Sequence, residues 1–208
     1  MTTRTTQTHH DHDAGLDACA DLINTLELVE GDEDRLPTPD AAVAFLAGHD
    51  LGHEADLRRQ AARDGDAWLR RVHDARAALR ELWDANVEGR APDPRSLEVL
   101  NGLLDRGPRI QLRQTLAGVE VAHRHPEDDP TGEALARAAT PLVEAIAAGA
   151  THRLRICAND ECRWVFEDAS RAGRRRWCDM ATCGNQAKVR RFRARRRQGT
   201  TEDAGSPA

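Results

Sequence analysis

Four cysteines near the C-terminal end of the chain constrain its fold more than any other feature. Cys157 and Cys162 form one close pair, Cys178 and Cys183 form a second, and 15 residues separate the pairs. Two short loops of this kind can curl around one ion and present four sulfur ligands in a tetrahedron. Thiolates suit zinc better than they suit hard cations. We therefore predict one structural Zn²⁺ held by these residues, with two disulfides or an iron–sulfur cluster as alternatives.

The residues around the cysteines predict a small domain whose core is the metal. Chains below about 40 residues rarely fold alone, so zinc would replace a hydrophobic core here. Short strands are expected at 154–156 and 164–166. We expect Trp164, Phe166 and Trp177 to pack against the metal site, and Asp168 and Ser170 to brace the following turn through local hydrogen bonds.

The same segment is strongly basic, although the whole chain has a formal net charge of −5. Residues 1–150 contain 16 arginines and 28 acidic residues, a net of −12. Residues 151–198 contain 14 basic and five acidic residues, a net of +9, and the last ten residues add −2. Zinc with four thiolates contributes −2, which leaves the segment near +7. Such a charge split indicates that this segment binds a polyanion.

A basic helix is predicted directly after the second cysteine pair, from Gly184-Asn185 to Arg197. Arginine on every turn of a helix suits the groove or phosphate rim of double-stranded DNA. Within this helix, Val189 and Phe192 are interpreted as a narrow inward-facing stripe. Phosphate or base contacts are predicted for seven residues: Arg174, Arg175, Lys188, Arg190, Arg191, Arg193 and Arg195.

Helices dominate the prediction for the first 150 residues. Apolar residues recur at helical spacing in five segments. These segments are 16–30, 39–49, 66–87, 94–104 and 133–148. Strand-like alternation on both sides of Gly118 predicts a β-hairpin over about 109–123. The predicted fold class is mainly α, with a small hairpin in the N-terminal domain and a small C-terminal four-cysteine domain.

No pattern in this chain predicts catalysis, and we expect a protein that is not an enzyme. Cys19 lies on an apolar helix face, which favours a buried structural thiol over a nucleophile. His49 and His53 are four residues apart, but Gly48 and Gly52 argue against an ordered helical metal site. Because the chain lacks a signal-like start and an apolar run of spanning length, a cytoplasmic location without membrane contact is expected.

The cysteine segment resembles the CGNR zinc finger. The resemblance is carried by Cys157-x4-Cys162-x3-Phe166-x-Asp168-x-Ser170-Arg171, Arg176-Trp177-Cys178-x-Met180 and Cys183-Gly184-Asn185-x-x-Lys188. The preceding part is similar to the ABATE domain, whose opening helix is echoed by Leu22 to Thr25. The resemblance implies a transcription regulator of a stress-associated family. One position departs from the pattern, because Gln186 stands where the family has arginine.

Together these observations divide the chain into four parts. We predict a disordered N-terminus at 1–13, a helical regulatory domain at 14–150, a zinc finger with its basic helix at 151–198, and a disordered tail at 199–208. The helical domain is expected to sense a small-molecule effector or to form a homodimer. The zinc finger is expected to bind nucleic acid, with double-stranded DNA favoured. RNA binding and docking of a protein remain as alternatives.

Overall fold

The computed structural model describes residues 12–27, 33–107, 109–115, 118–124 and 129–202. Its α-helices are α1 (His12–Ile23), α2 (Pro39–Gly48), α3 (Glu54–Asp64), α4 (Asp66–Glu88), α5 (Pro94–Leu104), α6 (Pro130–Ala147) and α7 (Asn185–Glu202). Its strands form two antiparallel hairpins, β1 (Arg109–Thr115) with β2 (Gly118–Arg124) and β3 (Leu154–Ile156) with β4 (Val165–Glu167). The mainly α fold class is confirmed. The two ends that are predicted to be disordered lie largely outside the described residues.

Helix boundaries follow the local signals in the sequence. The Thr38 side chain caps α2, where its Oγ1 accepts a hydrogen bond from the Ala41 N–H at 3.2 Å. Gly89 ends α4 in the left-handed conformation, with φ at 67°, which glycine adopts without steric cost. Helix α5 runs over the predicted range 94–104.

Helix α1 ends earlier than the apolar spacing predicts. The predicted helix runs to residue 30, but α1 ends at Ile23. Thr25 turns the chain, because its Oγ1 donates to the Leu22 carbonyl at 2.7 Å. Leu26 then forms an isolated antiparallel bridge with Asp34. The apolar residues after Ile23 therefore do not continue the helix.

Helix α3 has no counterpart among the predicted elements. Most of its side chains are polar, and the buried ones are Leu57, Gln60 and Ala61. A surface helix of this composition draws support from ion pairs, such as Arg58 with Glu54 at 2.6 Å and i,i+4 spacing. Three buried positions are too few to produce a clear helical period in the sequence.

The core of the helical part lies between α1, α4 and α6 and includes two fully buried tryptophans. Trp68 donates through its indole N–H to Thr131 Oγ1 at 2.5 Å, so its polar atom is satisfied. Arg76, whose side chain is 6% exposed, forms a bidentate pair with Asp34 at 2.6 and 2.7 Å. The hydrogen bond from Arg76 holds the pKa of Asp34 below its ordinary value.

The β3–β4 hairpin belongs to the same core. Leu154 and Val165 are each 1% exposed and pack with the buried residues of the helices. The Asn24 side chain donates to the Val165 carbonyl and accepts from the Val165 N–H, each at 2.9 Å. Trp83 donates to the Arg155 carbonyl at 3.1 Å. The predicted domain boundary at residue 150 therefore marks a change of composition, and the hydrophobic core continues across it.

None of the described helices combines the length and the apolar character that crossing a bilayer requires.

Candidate metal centre

The first cysteine loop leaves strand β3 and returns to β4. The Cys157 N–H donates to the Trp164 carbonyl at 2.7 Å, which closes the loop at its base. At the tip, the Asn159 carbonyl accepts from the N–H groups of Cys162 at 2.9 Å and Arg163 at 3.1 Å. Arg163 has a φ of 57°, which tightens the return of the chain. These bonds point Cys157 and Cys162 toward the same space.

In the second loop, Cys178 lies just before a single π-helical turn, Met180–Gly184, and Cys183 lies within it. Asp179 caps this turn, because its Oδ1 accepts from the Thr182 N–H at 2.7 Å and from the Thr182 hydroxyl at 2.9 Å. The Ala158 N–H donates to the Arg176 carbonyl at 2.8 Å and joins the two loops. Helix α7 starts directly after the turn, so the second loop also sets where this helix begins.

The four sulfur atoms lie together at the spacing of a tetrahedral zinc cage. Each Sγ is within 4.8 Å of the other three. Cys162 and Cys178 are 3.6 Å apart, and Cys178 and Cys183 are 3.8 Å apart. A Zn–S distance of about 2.3 Å implies sulfur separations of about 3.8 Å. A disulfide needs about 2.05 Å, and all five cysteines are free. The predicted ligands thus form a site for one zinc ion.

The pKa values of the thiols differ within this cage. Burial raises the pKa of Cys162 to about 11, and burial also raises the pKa of Cys178. At Cys183 burial acts in the same direction, but the hydrogen bond from Asn159 and those from the other thiols outweigh it and lower the pKa. Zinc ligands must be deprotonated, so zinc binding releases protons here and weakens as the pH falls.

Asn159 connects the cysteine cage to the basic helix, a role that the sequence analysis did not identify. Its side chain is nearly inaccessible, since the residue is 2% exposed. Its amide nitrogen donates to Cys183 Sγ at 3.6 Å and to Gln186 Oε1 at 3.0 Å. Its amide oxygen accepts from Arg190 Nη2 at 2.5 Å. In the sequence, the sign of this role is that a polar residue lies inside the first cysteine loop.

Gln186, which stands where the family pattern has arginine, therefore accepts a hydrogen bond beside the cage. Its carbonyl oxygen accepts from the same amide group that donates to Cys183. An arginine has no acceptor atom and could not take this place. The Gln186 side chain thus contributes to the layer around the zinc ligands, although it is not a ligand itself.

Aromatic residues surround the cage as predicted. Phe166 is buried beside Cys157 and Cys183, and the half-buried Trp164 and Trp177 pack against this cluster. Arginines cover the outer faces of these rings at 5.2 Å or less from the ring centroids. These contacts are Arg35 over Trp164, Arg175 over Phe166 and Arg176 over Trp177.

Asp168 braces the turn between the two cysteine pairs, as predicted. It is fully buried, and its Oδ1 accepts from the Ser170 hydroxyl at 2.5 Å and the Ser170 N–H at 3.1 Å. Its Oδ2 accepts from the Arg175 N–H at 2.7 Å. The hydrogen bond from the Ser170 hydroxyl is the main cause that lowers the pKa of Asp168. The Asp168 carboxylate therefore stays ionised within the turn between the two cysteine pairs.

The seven predicted nucleic-acid contacts fall into two groups by position. On helix α7, Lys188, Arg191, Arg193 and Arg195 are exposed, whereas Arg190 turns toward the first loop and pairs with Glu161 at 2.5 Å. On the preceding loop, Arg174 is exposed and Arg175 donates to the Cys178 carbonyl at 2.5 Å.

The predicted inward stripe on α7 is wrong. Val189 exposes 47% of its surface and Phe192 exposes 59%. The face of α7 that meets the finger carries Gln186 and Arg190 instead, through their hydrogen bonds to Asn159. Polar contacts with the cage, rather than apolar burial, therefore orient this helix.

Among the described residues, the other thiol and histidine candidates lie outside the metal cage. Cys19 is fully buried, and burial raises the pKa of its thiol to about 12, so it is a core thiol as predicted. The His49 ring lies 4.3 Å from the Phe45 ring, and His53 precedes helix α3. Within the described ranges, the four cysteines are the group of potential ligands that comes together to hold a metal.

Comparison with protein families gives two matches. Residues 153–196 match the CGNR zinc finger. Residues 16–155 match ABATE, a family described as "Putative stress-induced transcription regulator". No curated protein matches the chain. Since the second match spans more than half of the 208 residues and the first match contains all four cage cysteines, the chain belongs to the ABATE family and carries a CGNR zinc finger.

Proposed function

We propose that this protein is a cytoplasmic transcription regulator whose zinc finger binds double-stranded DNA. One observation carries the proposal. The cysteine cage fixes the start of helix α7, and this helix then presents Lys188, Arg191, Arg193 and Arg195 as exposed cations. A rigidly anchored helix of this charge suits the phosphates of a duplex, which carries one negative charge per about 1.7 Å.

The charge of α7 supports a polyanionic partner on energetic grounds. Lys188 and Arg191 are three residues apart, and Arg191 and Arg195 are four residues apart, so like charges face each other along the helix. Each such pair destabilises an isolated helix by about 0.2–0.5 kcal/mol. Phosphates placed along the helix attract these cations and outweigh their mutual repulsion, and binding also releases counterions from the nucleic acid.

Two alternatives explain less of the site. Recognition of unpaired RNA needs aromatic rings that are free to stack on bases. Trp164, Phe166 and Trp177 pack against the cysteines instead, which leaves Phe192 on α7 as a single exposed ring. A module that docks another protein does not account for a helix whose exposed face is so rich in cations. The proposal assigns no catalysis, because four thiolates fill the tetrahedral coordination of zinc and leave no open position.

A pocket between the two parts of the chain supports a sensing role for the helical domain. It has a volume of about 370 Å³ and lies between helices α1 and α2 and the finger residue Trp164. Pockets for small ligands have volumes of about 300–1,000 Å³. Trp164 also accepts the hydrogen bond from Cys157, so an effector bound in this pocket would contact the base of the first cysteine loop.

Zinc content and DNA affinity measured on the same samples test the proposal. We expect about one zinc per chain in the wild type and loss of both zinc and high-affinity binding in Cys178→Ser. Affinity for a labelled duplex should fall steeply with salt. If about five side chains neutralise phosphates, the slope of log K against log salt is about −4 to −5.

Arg70→Ala is a control for the effect of removing one positive charge far from the finger. Arg70 is exposed on α4, 13 residues before Trp83 and hence about 20 Å along the helix from the residue that contacts the finger. Arg70→Ala removes one charge and should leave DNA affinity unchanged. The proposal is wrong if the zinc-loaded wild type shows no salt-dependent DNA binding. It is also wrong if Cys178→Ser binds DNA as tightly as the wild type.

A further inference from the structure

Helix α7 has a defined inner side, which sets its outer side. Gln186 and Arg190 are one turn apart, and both hydrogen bond to Asn159. Each residue advances about 100° around a helix. Phe192 follows Arg190 by two residues and Gln186 by six, so it lies about 200° and 240° around the helix from them, on the side that faces away from the finger. Its exposure of 59% agrees with this placement.

Cations frame Phe192 on this outer side. Lys188 precedes it by four residues and Arg195 follows it by three, so one cation lies a turn away in each direction. Arg191 is adjacent, and all three basic residues are exposed. The outer face, defined here as Lys188, Arg191, Phe192 and Arg195, thus places a large apolar ring in the middle of positive charge.

This combination restricts what can cover the outer face. A second copy of the same helix would bring identical positive charges together, which is unfavourable at contact distance. The partner must supply negative charge around the rim and an apolar group at the centre. The major groove of DNA supplies both, because phosphates line its edges and the C5-methyl group of thymine projects into it.

We propose that the outer face of α7 lies in the major groove and that Phe192 contacts thymine methyl groups there. This inference rests on the proposed DNA binding and adds the groove, the contacting residue and the base feature that it reads. A helix with its side chains is about 10–12 Å across, which fits a major groove about 12 Å wide and not a minor groove of about 6 Å. Phenylalanine is among the residues that make apolar contact with the thymine methyl group.

Two duplexes that differ only in this methyl group test the inference. Both have an alternating A·T sequence over two helical turns, about 20 base pairs, and the second has deoxyuridine in place of every thymidine. Their charge and base pairing are the same. Fluorescence anisotropy on the full zinc-loaded chain would give the affinity of wild type and Phe192→Ala for each duplex.

We expect the wild type to prefer the thymine duplex by about four- to fifteenfold, which corresponds to the burial of one or two methyl groups. Phe192→Ala should bind the thymine duplex less tightly and show equal affinity for both. Its salt slope should match that of the wild type, because no charge is lost. Leu97→Ala is the matched control, since Leu97 is an apolar residue on α5 that exposes 37% of its surface. Zinc content and circular dichroism verify that each variant folds.

The outcomes separate this inference from the proposed function. If the wild type binds both duplexes equally and Phe192→Ala does the same, DNA binding stands and the methyl contact is wrong. If Phe192→Ala changes only self-association in sedimentation, the ring belongs to a protein interface and the inference is also wrong. If the wild type binds neither duplex at low salt, the proposed function fails and the inference falls with it.

Discussion

Asn159 is the residue that links metal binding to the orientation of the basic helix. One amide group donates to a zinc ligand, Cys183, and to Gln186 in the first turn of α7. Its oxygen accepts from Arg190 one turn later. Partners in the second layer of a metal site orient the ligands and tune their basicity. The identity of this residue therefore affects both the cage and the helix.

Replacing Asn159 by alanine should weaken zinc binding by about tenfold or more, as loss of such partners does in other metal sites. Competition with a chromogenic chelator measures the effect. Asn86→Ala is the control, because Asn86 donates to the Leu82 carbonyl at 2.9 Å within α4 and does not contact the cage. Equal zinc affinity in Asn159→Ala and wild type would show that the amide group only fills space.

Helix α7 depends on its first two turns for its direction. Its contacts with the finger are polar and involve Gln186 and Arg190, while Val189 and Phe192 are exposed. Adjacent arginines on this helix therefore have different surroundings. Arg190 pairs with Glu161 at 2.5 Å, whereas Arg191 belongs to the outer face.

Arg190→Ala and Arg191→Ala remove the same charge at neighbouring positions and should differ in their effect on DNA binding. Arg191→Ala should make the slope of log K against log salt shallower by about 0.9, as loss of one phosphate contact does. Arg190→Ala should lower affinity to a similar extent at every salt concentration, because it loosens the helix. Equal changes of slope in the two variants would place Arg190 on phosphate as well.

At the scale of the whole molecule, the finger and the helical part share one core. The Asn24 side chain forms two hydrogen bonds with the Val165 backbone across 141 residues of sequence. Leu154 and Val165 are buried among residues of the helices. Loss of the metal should therefore affect helices that do not contact it.

Zinc removal should lower the stability of the helices in the wild type, and Asn24→Ala should weaken this coupling. The substitution leaves a buried N–H and a buried carbonyl without their partner, at a cost of about 2–3 kcal/mol. Urea unfolding followed by far-ultraviolet circular dichroism, with and without a chelator, measures both effects. Asn101→Ala is the control, because Asn101 is exposed on α5. Helical stability that is independent of zinc in the wild type would contradict a shared core.

Much of the architecture is readable from local patterns. Cysteine spacing indicates the cage, helical periodicity and caps indicate α2, α4, α5 and α6, and alternation around Gly118 indicates the first hairpin. These features depend on residues that are close in the chain, so their physical cause lies within a short window of sequence. Helix α3 could not be predicted in this way, because its few buried residues give only a weak helical periodicity.

By itself, then, the sequence determined the ligand set, the charge split, the position of the basic helix and the family. Only the tertiary structure decided which side of α7 faces the finger, that Asn159 serves both the cage and the helix, and that Asn24 binds the hairpin to the helical core. Helix α7 buries neither of its large apolar residues, Val189 and Phe192, so its apolar pattern does not reveal its inner face. The contacts that orient it are hydrogen bonds between residues distant in the chain, and these leave no periodic trace in the sequence.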